Sequence, residues 1–185
     1  EVVIGAWTST NGKFSSLMVG VNKGNHLAYT GNVGTGYGAE TVQRIPAAQF
    51  EQGSAEAWSP ADYLKHLLLS VKPFAKALTF PPAPLKRRFG EVAHSPMTFS
   101  AVVVRYQARL DQGVRAEDYE AVTPATFRLP EGTTDLQATL LDLWNEAHER
   151  MFTGLDQWTE ADLDTIQILH PAISSISVRE MLFFT

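Results

Sequence analysis

Hydrophobic and polar positions alternate with a period of two at the start of the chain and then change period. Val2, Val3, Ile4 and Trp7 mark one strand. Leu17, Val19 and Val21, set among Met18 and Gly20, mark a second, and Leu27, Tyr29 and Val33 suggest a third. The steps Asn11-Gly12 and Gly24-Asn25 lie between them, and both are turn chemistry because glycine and asparagine accept positive φ. The pattern predicts two hairpins, hence a three-stranded antiparallel meander. Ala39 to Ile45 then reads as a short helix.

From about residue 58 the apolar positions recur at helical spacing. WSPADYLKHLLLSVKPFAKAL, residues 58–78, opens with Ser59 as a cap, Pro60 at the first helical position and Asp62 in the first turn. Leu64, Leu67, Leu68, Val71, Ala75 and Leu78 fall on one face, and Pro73 should kink the helix or end its regular part. A Pro-rich link, FPPAPLKRRFG, follows. A shorter helix fits 98–110. A long one fits 134–157, with Leu136, Leu140, Leu143, Trp144, Ala147, Met151 and Leu155 inward. Ser177 to Thr185 carries a cap and the apolar Val178, Met181 and Leu182, but extends for only about two turns. Residues 46–57 have no clear period and read as a linker.

Composition narrows the picture a little. In 185 residues, 44% are hydrophobic and 19% charged, which is ordinary for a globular protein and excludes general disorder. A net charge of −5 argues against coating nucleic acid by charge alone. With no cysteine there is no disulfide and no thiolate metal site. No apolar run approaches the roughly 20 residues of a membrane span, and no signal-peptide pattern is present, so the expectation is a cytoplasmic chain that does not enter a membrane.

The stretch TGNVGTGYGAETVQRI, residues 30–45, raises the question of nucleotide binding. Gly34-Thr35-Gly36-Tyr37-Gly38-Ala39 fits the loose form of the dinucleotide fingerprint, but that pattern needs a βαβ unit and an acidic residue about 20 positions on. Here the preceding strands are hairpin-linked, and the region that should hold the acid is Pro, Ala, Gln and Ser. The glycines read as chain reversal.

Residues 1–45 closely resemble the start of the OB-fold domain of bacterial ATP-dependent DNA ligases, in particular the ligase D type. The E-x-VIG-x-W-T opening, the S-L-x-VG strand and the Y-x-G-x-VGTG-[FY] ending stand in order. The resemblance implies part of a domain that wraps DNA and helps transfer an adenylate, with Lys13 and Lys23, at the hairpin tips, facing DNA. The family's nucleotide-accepting lysine sits in an upstream K-x-D-G motif, which this chain lacks, as it lacks the closing basic motif that orients ATP. ATP chemistry would therefore belong only to a parent ligase, because no lysine here is placed to become the phosphoramidate nucleophile.

Residues 58–185 resemble a second family, the DinB-like four-helix bundles, many of which are metal-dependent transferases or hydrolases. W-S-x-x-x-x-x-x-H-L matches that family's second helix, and WTEADLD followed by HPAISSISVREMLFFT matches the approach into its fourth. The resemblance implies a divalent ion, zinc or nickel, with His66 as first ligand and an H-x-x-x-H pair falling beyond residue 185. One imidazole is a poor site by itself, since such ions usually take three protein ligands. His170 belongs to a loop in the family pattern. His148, beside Glu146 and Glu149, reads as part of a solvated face, while His94 sits in a link and His26 in a hairpin. Lys86-Arg87-Arg88 could touch phosphate, but three cations beside a Pro-rich turn are more often a solvated link.

The expected fold is therefore α+β: a small antiparallel β meander, a partial OB-fold, over 1–45, then a linker at 46–57, then an incomplete DinB-like α-helical bundle over 58–185. Three readings of function follow. The first is a fusion or fragment that binds DNA weakly in a repair context and does not ligate alone. The second is a metal-dependent transferase or hydrolase with His66 as ligand. The third is a chain with no activity of its own, a chimera whose open sheet edge and unfinished bundle would favour homodimers or poor expression.

Overall fold

A computed structural model describes the backbone of residues 2–10, 13–23 and 26–33, and backbone and side chains of residues 42–54 and 57–185. The chain mixes helices with antiparallel sheet and divides into two compact units, Glu1–Phe50 and Glu51–Thr185.

The first unit is built on β1 (Val2–Thr10), β2 (Lys13–Lys23) and β3 (His26–Val33), in the order β1-β2-β3 with both pairings antiparallel. Thr10 pairs with Lys13 and Lys23 with His26, so β2 returns directly on each neighbour. The register slips between Ile4 and Ala6, leaving Gly5 as an extra residue opposite Val19–Met18, where a residue without a side chain suits a bulge. The two predicted turns and the glycine-rich segment from Gly34 to Ala39 lie outside the described residues. So does the first part of the helix expected over 39–45, of which Val42 and Gln43 are helical. A single helical turn, α1 (Ala47–Phe50), closes the unit within the span expected as linker.

The second unit is organised by α2 (Pro60–Leu78) and α5 (Leu136–Leu155). At the start of α2 the Ser59 hydroxyl accepts from the Asp62 N–H, and the Asp62 carboxylate accepts back from the Ser59 N–H, a reciprocal cap. Burial alone would raise the Asp62 carboxyl, but hydrogen bonds from Ser59 and Lys65 outweigh it and hold the group below its ordinary value. Leu64, Leu68, Val71, Ala75 and Leu78 are buried as the spacing predicts. Pro73 does not end the helix, which runs unbroken through it.

Where α2 stops, its Leu78 carbonyl would lack a helical partner. The Trp158 indole N–H donates to it at 2.9 Å and the Gln157 amide at 3.1 Å. Gly154 of α5 presses against the same residue, and a Cβ there would stand 2.8 Å from the Leu78 carbonyl carbon.

The remaining elements pack around one core. The segment expected as a Pro-rich link is instead a helix, α3 (Pro82–Phe89), closed by Gly90 at φ 82°. Its prolines occupy the first turn, where no N–H partner is lost, and Lys86, Arg87 and Arg88 lie in its last turn, where cations face the negative end of the helix dipole. Then come α4 (Phe99–Asp111), capped by Thr98, and three short 3₁₀ turns between 116 and 126. After α5 follow α6 (Glu160–Thr165), β4 (Gln167–His170), β5 (Ser174–Ser177) and α7 (Val178–Leu182). β4 and β5 form an antiparallel hairpin, so His170 ends a strand rather than lying in a loop. Phe74, Leu78, Val102, Met151, Trp158, Ile166, Ile176 and Val178 are among the residues of the shared core.

Three polar devices hold the C-terminal elements. The carboxylate of Glu180, fully buried, accepts from the N–H of Met97 and of Ser177, both at 2.8 Å, which clamps the 91–98 segment to α7. Arg179 bridges Asp164 and Glu160, joining α7 to α6. From α4, Arg109 donates to the Ala172 carbonyl at 3.0 Å and Arg105 to that of Ile173, so two guanidiniums grip the β4–β5 turn.

Candidate functional site

The second unit contains a cavity of about 420 Å³. Its walls come from α2, α3, α4, the 114–122 segment, β4 and α7, and they are mainly apolar. Arg115 is the one charged residue among the described residues that line it. Among the described residues no acidic side chain lines it. Two histidines, far apart in sequence, do: His66 from α2 and His170 from the end of β4.

Each histidine is fixed by a main-chain bond at Nδ1, in opposite senses. The His66 Nδ1 lies 2.8 Å from the Val122 carbonyl, which can only accept, so the imidazole donates there and leaves Nε2 as a lone-pair acceptor. Trp58 packs on the ring at 5.2 Å. The His170 Nδ1 instead receives the N–H groups of Ala172 at 3.1 Å and Ile173 at 3.4 Å. The His170 proton therefore sits on Nε2. Phe184 and Tyr106 flank this ring at 4.4 and 5.8 Å. Burial pushes the His170 imidazole down to about 4 and pushes the Tyr106 phenol up. At neutral pH both groups are uncharged, and each carries a proton to donate.

A divalent ion of the kind the bundle resemblance implies needs more than His66 supplies. Among the described residues no group of three His, Asp or Glu side chains could hold a metal. His66 has the orientation of a ligating histidine, with its second nitrogen tied to a carbonyl, but it stands without co-ligands.

The other expected residues fall elsewhere. Lys13 and Lys23 open and close β2, next to its pairing with β1 and β3. His148 is not on a solvated face: its Nδ1 donates to the Trp144 carbonyl at 2.9 Å, the Trp144 ring lies 4.1 Å away, and burial lowers its pKa. The His94 Nε2 is 3.6 Å from the Glu180 carboxylate, outside the cavity. Lys86 pairs with Glu91 at 2.5 Å, which raises its pKa. Sequence reasoning missed Tyr106 and Arg115. The tyrosine shares a helical face with Val102, and that spacing is a signal for packing rather than for a site. No helix of the described residues is long and apolar enough to cross a membrane. No protein-family model, no curated protein and no solved structure matches the chain.

Proposed function

We propose that the chain joins part of a ligase-type OB sheet to a DinB-like helical bundle, and that its first unit retains weak, salt-sensitive binding to DNA in a cytoplasmic repair context without ligating by itself. The observation that supports this reading is the meander: three antiparallel strands in direct succession within one compact unit, as an OB sheet begins. Lys13 and Lys23 bound the central strand and would supply the phosphate contacts. The test is an electrophoretic shift series with duplex DNA at rising salt. Binding should weaken with salt, and Lys13→Ala with Lys23→Ala should reduce the slope of log K against log salt by about two. No shift at tens of micromolar protein in low salt would end the proposal.

The second reading, a metal-dependent transferase or hydrolase, draws on the orientation of His66, whose Nδ1 donates to Val122 and leaves Nε2 as the lone-pair nitrogen. Dialysis against zinc or nickel with His66→Ala in parallel separates the two readings. A stoichiometry near zero, or one that the substitution leaves unchanged, removes it.

A further inference from the structure

We propose that the cavity of the second unit binds an uncharged, mainly apolar small molecule that carries one hydrogen-bond acceptor, such as an aryl or alkyl ketone, with the acceptor directed to the His170 and Tyr106 end. This goes beyond the DNA and metal readings above and depends on neither.

The size comes first. About 420 Å³ lies within the range of small-molecule sites, roughly 300–1,000 Å³, and far above what one water needs. Charge decides the class of ligand. A wall with no acidic group does not recruit a cation. Its one cation, Arg115, already donates through Nη1 to the carbonyls of Leu110 and Val114, so it is held to its own backbone at the exposed end of the segment. An ionised ligand would lose its hydration among Leu85, Leu110, Ile168 and Met181, and the one charge among the described lining residues, Arg115, is exposed and has its Nη1 committed to main-chain carbonyls. An uncharged apolar body has no such penalty.

The acceptor follows from the tautomer. Because two backbone N–H groups occupy the His170 Nδ1, the ring can offer only a donor from Nε2. The neighbouring Tyr106 hydroxyl remains protonated and adds a second donor. A ligand oxygen at this end can accept from either neutral group, and the His170 imidazole offers nothing but a donor there.

The test uses the full chain and two probes of nearly equal shape, butyrophenone and butylbenzene, titrated at pH 7 by amide chemical-shift changes. Both should bind with saturation at one per chain, and the ketone should bind about threefold to tenfold more tightly, the worth of one net hydrogen bond. Ala116→Phe and, separately, Ala77→Leu enlarge half-buried residues that line the cavity. Each should weaken both probes at least tenfold while circular dichroism shows the helices intact. The double variant Tyr106→Phe with His170→Phe keeps ring volume and removes both donors. It should abolish the ketone's advantage and leave butylbenzene within about twofold. 4-Phenylbutyrate, the anionic probe, should bind more weakly than butyrophenone. The proposal is overturned by absence of saturable binding, by affinity that survives both filling variants in folded protein, by equal affinity of ketone and hydrocarbon, or by preference for the carboxylate.

Discussion

Gly154 and His170 show how single residues set the character of the helical unit. Gly154 lies inside α5, where replacing glycine by alanine ordinarily stabilises a helix by about 0.5–1 kcal/mol. Here the added methyl would meet main-chain atoms of Leu78 at 2.8 and 2.9 Å, which no rotamer can relieve. Gly154→Ala should therefore destabilise the protein by about 1–3 kcal/mol in urea unfolding. His170 acts through solvation. Its folded pKa of about 4 lies below the ordinary 6.5, so between these values the unfolded chain takes up a proton that the folded chain refuses. Stability should fall as pH drops from about 6.5 to 4 and gain nothing from this group above 6.5. His148, lowered for the same reason, adds a fall of the same sign. With His170 partly exposed, its share is on the order of 1–2 kcal/mol. Urea midpoints at pH 7, 5.5 and 4.5 measure the slope, which His170→Phe should flatten.

At the scale of elements, the helices were legible where local chemistry agreed with period. Ser59, Pro60 and Asp62 announce α2 before any packing is considered, and the apolar stripe of α5 is long enough to be unambiguous. Two elements were not. The α3 segment reads as a link because of its prolines, yet Pro82 and Pro84 fall in the first turn, where the missing N–H groups bond nothing. The β4–β5 hairpin is hidden because each strand has four residues and the turn between them is Pro-Ala-Ile, with Ser174, which opens β5, rather than glycine at φ 63°. The carbonyls of its turn are held by Arg105 and Arg109, which are distant in sequence. Glu180 reads locally as a helix-cap partner for Ser177, and only the fold reveals its bond to Met97. Glu180→Ala strands two main-chain donors and should cost about 2–4 kcal/mol, with Glu180→Gln losing less because one acceptor remains. Chemical denaturation of the two variants side by side checks the order.

The whole molecule is two compact units with different vocabularies, sheet in Glu1–Phe50 and predominantly helix in Glu51–Thr185. The change of period marks that division in the sequence, although α1 falls in what reads as linker. The cavity was not legible, because His66 and His170 are separated by most of the unit and the intervening 3₁₀ turns have no periodic signal. If the two proposed activities reside in separate units, perturbations should not cross. Ala77→Leu should leave the DNA titration of the chain unchanged, and Lys13→Ala should leave butyrophenone affinity unchanged, each within about 0.5 kcal/mol.

The turn between β4 and β5 has its peptide groups engaged from both sides. The amides of Ala172 and Ile173 point to the His170 imidazole, while their carbonyls receive arginines from α4. Hairpin tips normally trade their amide hydrogens with solvent within moments. These two should keep theirs for as long as core amides do, and an isotope-exchange map would display a protected island at the tip of a short hairpin.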